Sequence, residues 1–358
     1  MISPPPWVVR RLLVAPVVLV LAMALIAVSP VAVVVACVLD LFLPGRWQAL
    51  RLTLFVVAYL GCEVVMIAAL FVCWIVSGFG LWLRSRWMQS LHYWLMRWWL
   101  GAIGLAAHVL FGLRVAAVDG PEPASGPLLV FGRHAGPGNS LMLVSMLLSR
   151  YRRRPRIVML SKLRWDPVFD VLGRRLPNRF IDHRPSRSAQ HVEAIAALAT
   201  GLGDHDAFVL FPEGHDFTPR LRLDAIAHLR DEGYTEEARE AERLTNVLPP
   251  RHRGPMAAIL AAPSADVAFV AHTVMEDVGS FGALWKNLPL PRSIRARYWR
   301  VPAAEVPHDD ERLIEWLFSW WERIDGWIDG QRALAENDRA EPARGRRPSS
   351  RATRGGAG

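Results

Sequence analysis

Cysteine is scarce. The three present, Cys37, Cys62 and Cys73, all fall inside apolar runs and have no metal-ligand spacing. This excludes a disulfide framework or a zinc module and leaves small packing residues. Lysine is scarcer still, since Lys162 and Lys286 are the only two among 42 basic residues. There is no zinc-finger, basic-zipper or RNA-binding signature, so the formal charge of +9 does not point to nucleic acid. An anionic membrane surface or a phosphorylated substrate suits an arginine-rich, apolar chain better. No Gly-X-Ser-X-Gly elbow occurs, which disfavours a hydrolase built on Ser140 beside His134. Internal repeats are absent.

What the chain has in excess is apolar sequence. It is 52% hydrophobic over 358 residues, and the surplus lies before residue 115. Arg10-Arg11 precedes a run from Leu12 to Cys37 that Asp40 ends. As a helix this run spans about 39 Å, more than the ~30 Å hydrocarbon core, so it suits a tilted or proline-bent crossing. Val34-Val-Ala-Cys37 resembles a lipoprotein cleavage box and the paired arginines resemble a twin-arginine signal. The run is too long for a signal peptide and a second one follows at Leu52–Leu83, so a retained two-helix anchor over residues 1–86 is expected. Glu63 lies within the second run and receives no role. Arg84, Arg86 and Arg97 against Arg46 and Arg51 in the link place both chain ends on the cytoplasmic side. Residues 87–112 carry Trp87, Tyr93, Trp94, Trp98 and Trp99, which reads either as a helix at the headgroup boundary or as the first packed helix of a soluble domain.

From about residue 114 strands and helices alternate, so residues 87–330 are expected to form an interfacial helix and an α/β domain with a mixed sheet flanked by helices. Strands are expected at 128–131, 157–160, 207–211 and 267–271. Helices are expected at 140–150, 188–202, 221–232, 235–244 and 310–329. The basic run Arg152–Arg156 is either a solvated face or a contact for lipid or CoA phosphates. Residues 331–358, rich in Arg, Ala, Gly and Pro, read as a disordered basic tail.

Leu128–Phe131 reads as a buried strand that ends in a loop carrying His134, after which Gly136, Pro137 and Gly138 turn the chain. On a regular helix, His134 and Asn139 would point about 140° apart. The Gly-Pro-Gly turn frees them to face each other. A second polar turn, Phe211-Pro-Glu-Gly-His-Asp216, also follows an apolar strand. Between the two come Ser161-Lys162 and Arg179-Phe-Ile-Asp-His-Arg184, and afterwards Leu248-Pro-Pro-Arg-His-Arg-Gly254 and Ala265–Thr273.

In this order, over roughly 125–275, the chain resembles the glycerolipid acyltransferase family that includes 1-acylglycerol-3-phosphate acyltransferase. That family carries His-X4-Asp, Phe-Ile-X-Arg and Phe-Pro-Glu-Gly-Thr-Arg motifs and a proline-bearing apolar strand. The resemblance implies acyl transfer from acyl-CoA or acyl carrier protein to the hydroxyl of a lysophospholipid, with no metal, cofactor or covalent intermediate. It implies His134 as general base with Asn139 as its partner, and Glu213 and Gly214 in the third motif. A neutral imidazole suits this proton transfer, typically worth 10²–10⁴-fold. Arg184, Arg179, Lys162, Glu213, Gly214, His215 and Asp216 are the expected substrate-binding residues, meeting the acceptor phosphate with guanidinium, ammonium or backbone N–H donors.

Three departures accompany the resemblance. Asn139 stands where the family has aspartate and cannot balance an imidazolium charge. A non-catalytic or impaired lipid-binding protein of the same fold is therefore the alternative, unless Asp216 or Asp182 replaces the missing charge. Arg184 falls one position late behind His183, with Arg179 as its substitute. His215-Asp216 stand in place of Thr-Arg; as a metal pair they lack further ligands at a recognisable spacing.

Overall fold

The computed structural model describes residues 4–43, 45–115, 125–134, 136–182, 187–273, 281–290 and 293–344. Three helices long and apolar enough to cross a membrane open the chain: α1 (Trp7–Phe42), α2 (Gln48–Val76) and α3 (Arg86–Phe111). The Asp40 carboxylate accepts from the backbone N–H groups of Ala49 (3.1 Å) and Leu50 (2.9 Å), which satisfies donors left open at the start of α2. α2 stops at Val76, short of the expected Leu83. Gly78, Phe79 and Gly80 all take positive φ, so the backbone turns although the side chains stay apolar.

α2 does not stand clear of the rest of the molecule. Gln48 donates to the Leu288 carbonyl, Arg51 to that of Leu110, Tyr59 to Asp166 and Arg175 to the Leu70 carbonyl. Glu63 accepts from the Trp99 indole at 3.1 Å, which satisfies a buried carboxylate. α1 packs on α2 and leaves most of its surface bare. α3 packs against the domain, one of the two expectations for its segment, and is a third helix long and apolar enough to cross a membrane where two were expected. Met88, Leu95, Met96, Trp99 and Leu100 enter the core, while Trp87, Trp94 and Trp98 face outward.

The α/β domain follows as β1 (Arg114–Val115), β2 (Leu128–Gly132), α4 (Pro137–Ser149), β3 (Arg154–Leu160), α5 (Pro167–Arg175), β4 (Arg179–Ile181), α6 (Ser188–Ala199) and β5 (Asp206–Leu210). It continues through α7 (Pro219–Asp231), α8 (Thr235–Arg243), α9 (Arg253–Ala261), β6 (Asp266–His272), α10 (Phe281–Asn287), β7 (Ser293–Ile294), β8 (Ala296–Val301) and α11 (Asp310–Arg344). The main sheet has the order β4-β3-β5-β2-β6-β8 and is parallel except for β8, which runs antiparallel to β6. β1 and β7 form a separate parallel pair. α11 continues to Arg344, through residues expected to be tail, because its helical run does not end at 330.

Alternation in the central strands supplies two cores. Leu128, Val130, Ala207, Val209, Ala268 and Val270 face the side covered by α3, α4 and α5. Leu129, Phe131, Phe208, Leu210, Val267 and Phe269 face the side covered by α6, α9 and α11. Each of the larger side chains contributes roughly 1.5–3 kcal/mol by leaving water. Strands buried on both faces read as continuous apolar runs, and their C-terminal ends deliver loops to one edge of the sheet.

The basic run near Arg152–Arg156 lies at the other edge. There Arg153 donates to the Asp204 carbonyl, and Arg156 donates to the Thr200 and Gly201 carbonyls and pairs with Asp206 at 2.5 Å. These arginines close loops.

Candidate functional site

β2 and β5 are neighbours, paired from Leu128–Ala207 to Phe131–Leu210, so the loops leaving them emerge side by side. His134 comes from the first loop and Phe211–Thr218 forms the second. Gly132 is required where they meet. A Cβ there would sit 2.9 Å from Cε1 of Phe211 and 3.0 Å from Cδ2 of Leu143. The Phe211 ring in turn packs on the His134 ring, with centroids 5.1 Å apart.

Nδ1 of His134 lies 2.6 Å from Oδ1 of Asp216, with the side chains 16% and 46% exposed. Neither atom has another hydrogen-bond partner, and the contact is short enough for an Nδ1–H to be shared with the carboxylate. The neighbouring imidazole holds the Asp216 carboxyl below its usual range. Burial opposes this, and the Lys162 charge and the Gly136 N–H assist it. Nε2 of His134 has no protein partner among the described residues, which leaves that edge of the ring for a reactant.

Asn139, expected to orient the ring, does not hold this position. It is 3% exposed at the start of α4, its N–H bonds the Gly136 carbonyl at 3.2 Å, and its Oδ1 has no partner. The turn brings Asp216 to Nδ1 instead, so the carboxylate arrives from the β5 loop. Asp182, the other candidate for that charge, contacts Arg187 and His191 at 3.3 Å each, away from His134.

Glu213 was expected to meet substrate, but it is buried in the frame beneath the site. Its two oxygens accept from the His134 N–H (2.8 Å) and the Leu248 N–H (3.0 Å). Burial pushes its pKa up to about 7, against the opposing pull of Arg133 and the two N–H groups. Arg133 lies fully buried and donates to the His272 carbonyl (3.0 Å) and the Asn246 carbonyl (2.6 Å). Burial lowers its pKa to about 10. His272, at the end of β6, has its Nε2 3.2 Å from the Arg133 carbonyl, and burial pulls its pKa down to about 3, so the ring is neutral. Asp325 of α11 accepts from the Asn246 N–H at 2.6 Å. The backbone of His134 is thus tied to β6, to residues 246–248 and to the C-terminal helix.

The open side is basic. Gly214 has φ +71°, and a Cβ there would lie 3.2 Å from Nε of Arg251, whose own N–H bonds the Pro212 carbonyl. The Arg251 guanidinium therefore lies over this turn, with its pKa lowered by its dense surroundings while the residue keeps an exposed surface. His215 has a lowered pKa through burial and then through Arg251, His134 and Lys162, groups that lie close enough to act on it. Lys162 follows β3 in the short helix Ser161–Trp165 and is exposed. Arg179 is exposed on edge strand β4, and no contact among the described residues joins it to the cluster. Arg184 lies outside the described residues. Among the described residues no three of His, Cys, Asp and Glu gather as a metal group.

Two residues had no role assigned from sequence. Arg251 sits in the Pro-Pro-Arg segment quoted above, and Arg133 directly precedes His134. Adjacency in sequence was the only signal for the second.

No protein-family profile matches the chain, and no curated protein does. Among solved structures the chain is similar to the 1-acyl-sn-glycerophosphate (LPA) acyltransferase PlsC from Thermotoga maritima, at 14% identity and a TM-score of 0.42, over 76% of this chain and 96% of that one.

Proposed function

We propose that the protein is a membrane-attached O-acyltransferase with His134 as its general base, and the observation carrying this is the 2.6 Å contact of its Nδ1 with Asp216. A carboxylate there holds the tautomer that leaves Nε2 able to accept a proton, and offsets the charge when it does. As the acceptor hydroxyl attacks a thioester carbonyl, Nε2 takes its proton. The new O–C bond forms, the C–S bond breaks, and the departing thiolate takes that proton. No covalent enzyme intermediate and no metal is needed. The thioester is that of acyl-CoA or acyl carrier protein.

The acceptor in this reading is a lysophospholipid such as 1-acylglycerol-3-phosphate, presented at the cytoplasmic face. Arg251 and Lys162 supply the cations that a phosphate requires beside the base, and His215 adds an imidazole N–H donor. The order of the motifs along the chain and the apolar helices ahead of the domain support the same reading. Asn139, the residue that suggests a non-catalytic lipid-binding protein, loses much of its weight once Asp216 stands at Nδ1.

The test is thiol release from acyl-CoA by purified full-length protein with lysophosphatidate and other lysolipids. Release by the wild type that His134→Ala abolishes supports the proposal. Equal absence of release from both, across acceptors, would favour the lipid-binding alternative.

A further inference from the structure

A second cluster of arginines lies at the foot of α1, outside the site built on His134. Asp170 of α5 is almost fully buried and receives Arg10 Nη2 at 2.9 Å, Arg11 Nε at 3.3 Å and Arg174 Nε at 3.3 Å. The start of α1 widens into a π turn over Arg10–Val14, and consecutive arginines both reach this carboxylate. Arg10, Arg11, Arg164, Trp165 and Asp170 line a small cleft there. Arg164 meets no carboxylate among the described residues. It donates weakly to the Ser161 carbonyl and lies over the Phe180 ring. Arg10 is 3% exposed, yet its Nε has no hydrogen-bond partner.

Three guanidiniums therefore share one carboxylate, with a fourth, that of Arg164, beside them. Asp182 also acts on Arg164, but it is already engaged by Arg187 and His191. The mutual repulsion is felt, since burial and then Arg10 and Arg174 lower the pKa of Arg164. A half-exposed cluster of guanidiniums in excess over its one carboxylate is suited to an anion with several acceptor oxygens. Its place identifies the source. The cleft lies where the bare apolar helix begins, flanked by exposed Trp7 and Trp165 and followed by exposed Leu12 and Leu13. Tryptophan and arginine at the end of an apolar helix mark headgroup depth.

We propose that this cleft binds the phosphate of an anionic phospholipid headgroup, fixing the foot of α1 and the neighbouring α5 at the membrane surface. This site is separate from acyl transfer and does not depend on it.

The test uses the full chain in detergent, with thermal unfolding and native mass spectrometry read in the presence of phosphatidylglycerol, phosphatidylcholine or inorganic phosphate. The variant Arg11→Ala/Arg164→Ala leaves the Arg10–Asp170 pair intact. Arg230→Ala/Arg239→Ala, on α7 and α8, removes the same charge elsewhere. The expected result is that phosphatidylglycerol is retained and raises the Tm of the wild type and of the distant variant. Affinity falls roughly 30-fold in the cleft variant, since each arginine near an anionic surface contributes about fivefold. Equal retention by the cleft variant, equal loss in the distant variant, or full stabilisation by inorganic phosphate alone would each overturn the proposal.

Discussion

Replacing Asp216 with asparagine removes the charge at Nδ1 of His134 and keeps the shape. Its cost follows from the geometry. Two unit charges 2.6 Å apart, with the carboxylate 46% exposed, interact in a medium between the ~20 of a near-surface pair and the ~80 of water. At an effective dielectric of about 40 the lost attraction is about 3 kcal/mol, or roughly two hundredfold in rate if it acts fully on the transition state. Loss of the favoured tautomer adds to this, and about 10⁴-fold, the cost of the analogous change in a buried serine-protease triad, is the ceiling. Asp216→Asn is therefore expected to lower kcat about 10²–10³-fold with little change in KM for the acceptor. Thiol release at saturating acyl-CoA measures it, and circular dichroism confirms that the variant is folded. A variant within threefold of wild type would refute the role given to Asp216.

Asn139→Asp places a carboxylate at a buried position while Asp216 already serves the ring, so turnover is expected to stay within a few fold and stability to fall by about 1–3 kcal/mol in chemical denaturation; a large gain in turnover would mean that Asp216 does not do this work. Glu213→Gln sets an amide N–H₂ against one of two backbone N–H donors and should cost about 1–3 kcal/mol. The folded-state pKa of Glu213, about 7, lies above the ~4.3 of a free glutamate. The native protein therefore keeps a proton that the unfolded chain has released, and this group's contribution to stability falls as pH rises from about 4.3 to about 7; Tm measured against pH should lose that slope in the variant. Arg251→Ala should raise KM for a phosphate-bearing acceptor about tenfold to a hundredfold, leave kcat nearly unchanged, and leave an acceptor lacking phosphate unaffected.

Much of this architecture was legible in the residues. Long apolar runs announce α1 and α2 because hydropathy is a local property, and strands β2, β5 and β6 appear as apolar runs because both faces are covered. His134 was visible as the residue a buried strand delivers to a loop. The strands and helices that went unread are short or mixed in pattern. β4 has three residues, and β8 alternates Arg297, Tyr298, Trp299 and Arg300 at the sheet's end. The early end of α2 was hidden because Leu81, Trp82 and Leu83 keep the run apolar past a turn that positive φ at residues 78–80 makes.

The chain alone determined that an imidazole follows β2 and that acidic and basic side chains follow β5, since these are statements about order. It did not determine which partner the imidazole meets. Asn139 is five residues away and Asp216 is 82, and sequence distance favoured the first. Pairing of β2 with β5 sets their loops side by side and brings the distant carboxylate to Nδ1, while the helical start of α4 draws the nearer amide inward. In the same way Arg251 crosses Gly214, and Arg10 reaches Asp170, only because separate elements pack together.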